Sequence, residues 1–499
     1  MVQRSIPRTT ASTTLVMNSI KALLVDTTIW VLYRVFLLLE LLLSFPSQLW
    51  SVVFELTKRG DRSHTKATVI IVGANFAGLT ALQKLSKHAN KFRIILMDQR
   101  DYFEFTPGVL RLFCEPEHYD NLAKNLSRQG SPSHEFIHGR VTSIVGDEND
   151  GSWQKVLTYQ PVISKGGGTV SMESRHKTLK YDYLILATGA TYPSPIWPNQ
   201  NELTLNNRRQ GWKKVHKDLL GAHRILVLGA GAVGVELAAE IVDHYGDSKT
   251  VTLVDAGRSL TPMFPRPVSN YARAWFERRR VQLRLGQKLA SWNDTSCTFL
   301  DGTTIQADVV YNCMGSRPNS DAFNRASKQR TLNGNNFVFT KGRHVVVGNT
   351  LQVQRGPMNY GSIFAVGDVA MPPGGGEKQA FQAEIQGKVA AYNVVALASS
   401  KDAPHSKKLL RYPQDMSGSD QMPMIFALSL GRYDGIVAFN DLCIPGPLCP
   451  IVKWILEYTK VLQMQGRPLG IFIWKVADDI TLFLSSTLIK RSPSTKKTI

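Results

Sequence analysis

A glycine-rich strand, turn and helix unit occurs twice in this chain, and the repeat constrains the fold more than any other feature. The first copy reads TVIIVGANFAG from Thr68 to Gly78, and the second reads HRILVLGAGAVG from His223 to Gly234. A helical pattern follows each turn, and the strand after it ends in an aspartate, Asp98 or Asp255. Free N–H groups at the helix N-terminus favour a pyrophosphate, and the aspartate can accept hydrogen bonds from ribose hydroxyls. The repeat therefore predicts two dinucleotide-binding βαβ units.

The two turns differ at one position. The second turn has glycine at all three fingerprint positions, whereas the first has asparagine in the middle, which tolerates a left-handed backbone but places a side chain near the phosphates. We predict that the first dinucleotide is held by Gly73, Ala74, Asn75, Phe76, Ala77, Gly78 and Asp98, and the second by Gly229, Gly231, Gly234 and Asp255.

The acid of the second unit favours NADH over NADPH, because a 2′-phosphate would meet the like charge of Asp255. Arg258 lies three residues further on, and it either pairs with such a phosphate or is a solvated loop residue. Glu236 directly follows the second turn, so it is a candidate for contact with the nicotinamide ribose or ring. A glutamate at a helix surface or core rim is the alternative.

Charge and cysteine content exclude several function classes. The 499 residues exceed one hydrophobic core, and their net charge of +20 would attract nucleic acid, anionic lipid or phosphorylated ligands. Only the last ten residues, KRSPSTKKTI, concentrate charge, and no aromatic residue lies among them, so no nucleic-acid binding is predicted. The five cysteines are irregularly spaced without a CxxC pair, which predicts neither a disulfide framework nor a metal site.

Both ends of the chain carry apolar segments. Residues 1–25 lack acids and are rich in Ser and Thr, which is typical of an organellar transit peptide or a disordered leader. Residues 29–56 are mostly apolar, although Arg34 and Glu40 each cost about 2.5–3.5 kcal/mol near a bilayer centre. A spanning helix, a hairpin centred on Pro46, an amphipathic surface helix and a buried soluble hairpin all remain open. N-myristoylation is excluded because residue 2 is Val2.

The C-terminal end has an amphipathic helical pattern from Ile451 to Leu462, and the apolar stretch GIFIWKVADDITLFLSS follows it. These segments are predicted either to dock on a membrane or to cap the globular core.

Three further motifs accompany the glycine turns: YDYLILATGA (Tyr181 to Ala190), ADVVYNCMGSRPNS (Ala307 to Ser320) and GSIFAVGDVA (Gly361 to Ala370). Together and in this order they resemble the FAD-dependent pyridine nucleotide-disulfide oxidoreductases, from residue 67 to about residue 400. The resemblance implies that the first turn binds FAD and the second binds NADH or NADPH. It also implies cofactor contacts from Val141, Thr188, Gly189, Gly315, Gly367 and Asp368, with Asp368 at the ribitol and phosphates and Val141 at the adenine.

The expected fold class is α/β, with two Rossmann-like domains, a C-terminal α+β region and an N-terminal hydrophobic segment. The resemblance implies that the FAD domain is split, with residues 67–205 and 325–410 surrounding an NAD(P)H domain of residues 206–324. Residues 1–66 form the leader and membrane-associating segment, and residues 411–499 form the acceptor-side, membrane-proximal region.

The redox disulfide of that family is not predicted here, since only Cys114 lies near the helix after the first turn. Instead, RDYFEFTPGVLRLFCEP from Arg100 resembles a loop of type II NADH:quinone oxidoreductases. IFALSLGRYDGIVAF and the Trp474-Lys475 pair resemble the apoptosis-inducing-factor-homologous, ferroptosis-suppressor type of NAD(P)H:quinone reductase.

This closer resemblance implies roles for three further residues. Arg111 would contact FAD, Lys475 would lie beside flavin and acceptor, and Gln386 would line the quinone entrance. Lys475 could instead be an interfacial lysine, and Gln386 a polar residue of a helix start. Cys313 is expected to pack rather than react.

The implied activity is hydride transfer from NAD(P)H through FAD to a quinone without proton pumping, with Lys475, Glu236 and Gln386 as catalytic candidates. Rival functions are a sulfide:quinone reductase, which needs a cysteine pair at the flavin, and an apoptosis-inducing-factor-like interaction protein whose flavin sets conformation. The implied partners are a quinone and membrane lipid, and a homodimer is left open. The membrane is the mitochondrial inner membrane, a lipid droplet or another cytoplasm-facing membrane.

Overall fold

The structure is a computed structural model. It describes residues 11–57, 66–126, 133–149, 152–164, 170–322, 338–355, 358–376, 378–400, 408–417 and 420–483. The first ten residues of the leader and the basic C-terminal ten residues lie outside these ranges.

Nine strands form the larger sheet: β1 (Ala67–Val72), β2 (Phe92–Asp98), β5 (Glu135–Asn149), β6 (Ser152–Ser164), β7 (Val170–Met172), β8 (Lys177–Lys180), β9 (Tyr183–Leu186), β20 (Gln352–Arg355) and β21 (Met358–Ala365). Their order is β20-β21-β9-β1-β2-β5-β6-β7, with β8 paired to β6. The five central strands, β21, β9, β1, β2 and β5, run parallel. The apolar runs of β1 and β9 are buried, as expected for parallel strands that are covered on both faces.

A second parallel sheet has the order β13-β12-β11-β17. Its strands are β11 (Arg224–Leu228), β12 (Thr250–Asp255), β13 (Gln282–Leu285) and β17 (Val309–Asn312), and beside it lies an antiparallel sheet of β14 (Leu289–Trp292), β15 (Ser296–Phe299) and β16 (Thr304–Gln306). All seven strands fall between β9 and β20 in the chain, so the second unit is inserted in the first. The predicted α/β fold with two nested Rossmann-like units is confirmed. The exact domain boundaries stay predictions.

A third antiparallel sheet near the C-terminus contains β23 (Ile425–Ser429), β24 (Gly435–Phe439) and β25 (Leu442–Pro445). The remaining strands pair in twos: β3 (Tyr102–Glu104) with β4 (Ala123–Asn125), β10 (Ala190–Thr191) with β18 (Arg317–Pro318), and β19 (Val345–Val346) with β22 (Ala370–Met371).

The described α-helices are α1 (Ala11–Thr57), α2 (Phe76–Ser86), α3 (Tyr119–Leu122), α4 (Leu205–Gly221), α5 (Ala232–Tyr245), α6 (Arg266–Arg278), α7 (Ala380–Ser400), α8 (Gln414–Ser417), α9 (Leu448–Met464) and α10 (Pro468–Phe483). Short 3-10 helices cover Thr106–Phe113, Pro116–His118, Gly246–Ser248 and Gly367–Val369. Helices α2 and α5 follow the two glycine turns, and α9 and α10 match the two apolar segments predicted near the C-terminus.

The N-terminal apolar run forms one continuous helix, α1, that passes through Pro46. The hairpin centred on Pro46 was therefore a wrong prediction. Within α1, residues Ser19–Leu43 are long and apolar enough to cross a membrane, with a mean hydropathy of 1.8, and only 6% of the most apolar window is buried. The alternative of a buried soluble hairpin is also wrong, because most of this surface is exposed.

Candidate active site

A cavity of about 1660 Å³ lies at the carboxyl ends of the central strands of both parallel sheets. It is lined by both glycine turns, the segment from Phe105 to Leu110, the third sheet, and helices α7, α9 and α10. Pockets for a single small ligand are typically about 300–1,000 Å³. The cavity is therefore large enough for more than one ligand group.

The first glycine turn is fixed by close backbone contacts. Gly73 has φ +104°, and a Cβ there would lie 2.2 Å from the carbonyl oxygen of Ala187. A Cβ on Gly78 would lie 1.8 Å from the carbonyl oxygen of Gly73. Neither position accepts a side chain, so the start of α2 can approach a pyrophosphate closely.

Asn75, in place of the middle glycine, has an extended backbone and does not use the left-handed conformation that asparagine tolerates. Its Oδ1 accepts a hydrogen bond from the N–H of Phe76 at 2.9 Å, and its Nδ2 donates to the carbonyl of Glu104 at 3.2 Å. The side chain thus caps α2 and ties the turn to β3.

The carboxylate of Asp98 joins β2 to the first turn. Its Oδ2 accepts a hydrogen bond from the backbone N–H of Ala74 at 2.7 Å, and its Oδ1 accepts one from the backbone N–H of Arg100 at 2.9 Å. The Arg100 guanidinium lies over the Trp197 ring at 4.3 Å, and Asp98, Arg100 and Trp197 all line the cavity, as does Val141. A stacked cation and ring beside a ribose-binding acid suit the adenosine end of a dinucleotide.

The GD motif forms the 3-10 helix Gly367–Val369, and Asp368 lines the cavity. Burial raises the pKa of Asp368, and nearby Lys378 lowers it in part. Burial has the opposite effect on Lys378, whose pKa it lowers. Lys378 donates a hydrogen bond to the carbonyl of Ala370.

Gln386 does not line the cavity, contrary to the prediction that it lines a quinone entrance. It is buried on α7, and its Oε1 accepts a hydrogen bond from the N–H of Gly367 at 2.7 Å. Gln386 is therefore a positioning residue for the GD turn.

Lys475 is exposed on α10 and lies outside the cavity lining, whereas Trp474 and Ala477 line it. Successive residues point about 100° apart around a helix, so when positions 474 and 477 face inward, position 475 faces away. The cavity lining does not support the prediction that Lys475 lies beside flavin and acceptor, and it stays a prediction.

Arg111 also lies outside the cavity lining. Burial lowers its pKa, but the carboxylates of Glu240, Glu457 and Glu115 raise it by more. Arg111 therefore balances buried acids behind the cavity wall, and the predicted FAD contact has no support in this geometry.

Lys460 is the lysine that the cavity presents between α7, α9 and α10. Its Nζ lies 2.7 Å from Oε1 of Glu384, and the two side chains are only 2% and 3% exposed. The same Nζ donates to Oε1 of Gln463 at 2.6 Å and lies 3.2 Å from the centroid of the Trp474 ring. A buried ammonium paired with Glu384 thus lies at the end of the cavity that Leu456, Trp474 and Ala477 line.

Glu236 lines the cavity at the start of α5, as its position after the second turn predicted. Its Oε1 accepts hydrogen bonds from Lys453 Nζ at 2.8 Å and from the N–H of Ser429 at 2.8 Å. Burial lowers the pKa of Lys453, but Glu236, Cys449 and Glu240 together raise it by more, so the net pKa is raised. This ion pair joins the second dinucleotide unit to α9 and the third sheet.

An aromatic pair makes a second link between these parts. Phe264, in the loop before α6, stacks on Phe426 of β23 with ring centroids 3.9 Å apart, and both rings line the cavity.

The second glycine turn repeats the geometry of the first. A Cβ on Gly234 would lie 1.8 Å from the carbonyl oxygen of Gly229, and one on Gly229 would lie 2.9 Å from that of Cys313. Asp255 accepts hydrogen bonds at 2.6 Å from the N–H groups of Ala230 and Gly257.

The predicted cofactor residues divide into those that line the cavity and those that lie outside its lining. The first group is Gly73, Ala74, Asn75, Phe76, Ala77, Asp98, Val141, Thr188, Gly189, Gly231, Gly315, Gly367 and Asp368. The second group is Gly78, Arg111, Gly229, Gly234 and Asp255.

Gly231 offers a test of the second turn. Nothing lies within 4 Å of a Cβ built on it, yet the residue lines the cavity. We expect Gly231→Ala to fold normally and to raise the KM for NADH about tenfold (~1.4 kcal/mol), because the methyl group would contact the pyrophosphate. Gly221→Ala is the matched control, since Gly221 also has open space but ends α4 outside the cavity lining. Equal KM values for the two variants would contradict this assignment.

All five cysteines are free thiols. Cys313 alone among them lines the cavity, and burial raises its pKa to about 12, so it remains a protonated thiol that packs in the wall. Within the described residues, no group of three or more His, Cys, Asp or Glu side chains is arranged to hold a metal ion.

The family model for pyridine nucleotide-disulphide oxidoreductases matches residues 67–391, which include both glycine turns and the GD motif. The chain belongs to this family. Its cofactors are therefore FAD and NAD(P)H, and the residues around the cavity fit them: both turns exclude side chains where a pyrophosphate approaches, and each second strand ends in an acid.

Curated relatives cover most of the chain. Ferroptosis suppressor protein 1 of Xenopus tropicalis is 28% identical over 386 residues, which are 74% of this chain and 88% of the relative. Fe-regulated protein 8 of Mycosarcoma maydis is 26% identical over 68% of this chain and 83% of the relative. Apoptosis-inducing factor homolog B of Dictyostelium discoideum is 25% identical over 75% of this chain and 90% of the relative.

Solved structures share the fold. The sulfide:quinone oxidoreductase of Aquifex aeolicus has a TM-score of 0.60 at 18% identity, covering 83% of this chain and 95% of that one. NDH2 of Plasmodium falciparum in complex with NADH has a TM-score of 0.58 at 14% identity, and the match covers 85% of this chain and 100% of that one. The predicted family membership and cofactors are confirmed, and the chain is of the flavin-dependent NAD(P)H oxidoreductase kind.

The sequence motifs did not indicate Trp197, Lys453, Lys460 or Glu384. Each lies outside the glycine turns and the GD motif, and each reaches the cavity only through tertiary packing. The usable signal for Lys460 was its position on the helix: Val452, Lys453, Leu456 and Lys460 recur at helical spacing and all line the cavity.

Proposed function

We propose that this protein transfers a hydride from NAD(P)H, with NADH favoured, through FAD to a quinone, without a redox disulfide and without proton pumping. The observation that carries the proposal is a single cavity that joins both dinucleotide turns to an apolar end with a buried ammonium group. In the overall reaction, NAD(P)H, a proton and a quinone give NAD(P)⁺ and a quinol.

The two glycine turns would bind different dinucleotides. Bound FAD would supply the two-electron chemistry, accepting a hydride from the nicotinamide and returning electrons to the acceptor. The first turn and Asp98 would bind and orient one dinucleotide, and the start of α5 with Gly231 would orient the other. Glu236, held by Lys453 and Ser429, lines the cavity beside the second turn, so it suits contact with the nicotinamide ribose or ring.

Lys460 suits the acceptor end. Reduction of a quinone places negative charge on its oxygens, and a preorganised ammonium in a site shielded from water stabilises such charge strongly. Leu456, Trp474 and Ala477 provide an apolar wall for a quinone ring. The Glu384 partner holds the ammonium in place, and we assign to Lys460 the role that the sequence had suggested for Lys475.

NADH remains the favoured donor. Both oxygens of Asp255 are fixed by backbone N–H groups at the end of β12, where a 2′-phosphate would meet the negative charge. Arg258 is exposed. The NDH2 neighbour is described in complex with NADH, which supports this choice.

A sulfide:quinone reductase fits less well, although one structural neighbour has that activity by name. That chemistry needs two cysteines flanking the flavin, and here Cys313 is the one cysteine among the cavity-lining residues.

Steady-state turnover of the full chain loaded with FAD tests the proposal. We expect rapid NADH consumption with a short-chain ubiquinone, slower consumption with NADPH, and none with sulfide as the donor. Absence of quinone-dependent turnover with FAD bound would contradict the proposal and would favour the apoptosis-inducing-factor-like binding role.

The location of the protein at a mitochondrial, lipid-droplet or other cytoplasm-facing membrane stays a prediction, and so does a homodimer.

A further inference from the structure

Helix α1 has two different apolar faces. Residues 22, 25, 29, 32, 36, 40 and 43, spaced three and four apart, are less exposed than their neighbours and form one stripe. Val25 is 1% exposed. This spacing is that of a helix packed against another body from residue 22 to residue 43.

Polar contacts join α1 to the C-terminal region near both ends of the apolar segment Ser19–Leu43. Lys21 Nζ lies 2.6 Å from Oδ2 of Asp434, and the hydroxyl of Tyr433 donates to Asp26 at 3.1 Å. About one turn before the end of the apolar segment Ser19–Leu43, Glu40 Oε2 accepts a hydrogen bond from the N–H of Leu469 at 3.1 Å.

An aromatic cluster fills the space between these contacts. Phe36 of α1 stacks on Trp454 and Tyr458 of α9, with ring centroids 6.0 Å apart in both cases. Tyr33 meets Tyr458 edge to face at 5.8 Å. From residue 21 to residue 40, helix α1 is therefore docked on the loop between β23 and β24 and on α9 and α10.

The opposite face of α1 is exposed and mostly apolar, with Thr27 and Arg34 as polar residues on it. It joins further exposed apolar side chains on α9 and α10. The exposed apolar residues are Met17, Ile20, Leu23, Leu24, Trp30, Val31, Val35, Leu37, Leu38, Leu39, Leu41 and Leu42 on α1, Leu448 and Leu456 on α9, and Ile471, Phe472, Val476 and Ile480 on α10.

The docked length decides the orientation of α1. The contacts from Lys21 to Glu40 extend over about 28 Å of helix, which nearly equals the ~30 Å hydrocarbon thickness of a bilayer. A spanning α1 would either break these contacts or pull Asp434, Tyr433 and the rest of the docking surface into hydrocarbon, where unpaired polar backbone and charge are costly.

We propose that α1 lies in the plane of a membrane, immersed in one leaflet while it stays docked on α9 and α10. The three helices form one apolar platform whose occupant is a phospholipid leaflet. A leaflet is favoured over a second copy of the chain because the exposed face continues through a 25-residue segment with a mean hydropathy of 1.8. The acidic Glu40 points toward the protein, while Arg34 lies over exposed Trp30 at 5.2 Å, a cation and aromatic pair typical of the headgroup level.

Spin-label depth measurements on the full chain test the orientation. Leu23, Trp30 and Leu41 lie on one exposed side of α1, so each is changed to Cys and labelled in a Cys443→Ser background, which removes the half-exposed native thiol. In vesicles of phosphatidylcholine and phosphatidylserine, we expect the three labels at equal depth. A spanning helix would place the middle label about 10 Å or more deeper than the outer two and would overturn the proposal.

Vesicle flotation tests the occupant. Leu38→Glu/Leu42→Glu should lower vesicle binding more than tenfold, whereas the matched pair Leu220→Glu/Leu300→Glu, exposed leucines on the second dinucleotide unit, should not. Size-exclusion chromatography without lipid accompanies the assay and shows that both pairs remain folded. Equal flotation of the two double variants would overturn the proposal. A lipid-free dimer that only the α1 double variant dissociates would also overturn it, because the exposed face would then bind a second copy of the chain.

Discussion

Replacing Lys460 with Met is expected to lower quinone-dependent turnover by about 10²- to 10³-fold, while reduction of the bound flavin by NADH keeps its original rate. Lys460 is the cavity lysine at the apolar end, and its ammonium is held by Glu384 and Gln463. The loss should appear in kcat with quinone, because the side chain stabilises charge that develops only as the quinone is reduced. Stopped-flow measurement of the two half-reactions separates the effects.

Loss of Lys460 also leaves Glu384 buried without its charged partner, so instability must be distinguished from lost chemistry. The double variant Lys460→Met/Glu384→Gln removes both charges and should restore stability without restoring quinone turnover. Lys475→Met is the matched control, since Lys475 is exposed on α10, and we expect it to keep full activity. The reverse pattern, with Lys475→Met inactive and Lys460→Met active, would show that the acceptor end is misassigned.

The second large effect is expected from Arg208→Met, which should lower the free energy of unfolding by about 3–5 kcal/mol. Arg208 of α4 is fully buried and pairs with Glu104 of β3 at 2.8 Å and with Glu202 at 3.0 Å. Its removal leaves two buried carboxylates without a cation. Glu104 also accepts the hydrogen bond of Asn75 through its carbonyl oxygen, so the first glycine turn should loosen and FAD should dissociate more readily.

Arg209→Met is the control for that prediction. Arg209 is the next residue on α4, and its ion pair with Asp120 lies at the surface, where such pairs contribute about 0–1 kcal/mol. Urea unfolding, followed by flavin release, measures both variants. Similar midpoints for Arg208→Met and Arg209→Met would show that the buried ion triad does not hold α4 and β3 together.

The sequence predicted the parts of the fold that depend on short spacing. The turns at Gly73 and Gly229, the acids Asp98 and Asp255, and the GD turn at Asp368 each lie within one supersecondary unit. Their geometry follows from local backbone requirements: a Cβ at Gly78 or Gly234 would collide with the turn's own carbonyl oxygen. The nesting of one unit in the other follows from the order of these motifs along the chain.

The sequence could not predict contacts that depend on how distant helices are rotated and packed. Lys475 and Lys460 both lie on apolar helices near the C-terminus, and only the packing of α9 and α10 against α7 shows that Lys460 faces Glu384. Gln386 was assigned to the acceptor, but its side chain reaches Gly367, 19 residues away in sequence. The docking of α1 joins residues more than 400 positions apart, such as Lys21 and Asp434.

An anaerobic titration of the FAD-loaded full chain is the most direct test of hydride transfer from NADH to a quinone through one cavity. One equivalent of NADH should bleach the flavin absorbance completely, and one equivalent of a short-chain ubiquinone should restore it with formation of one equivalent of quinol. A flavin that NADH bleaches but quinone does not restore, or one that NADH does not bleach at all, would contradict the proposed function.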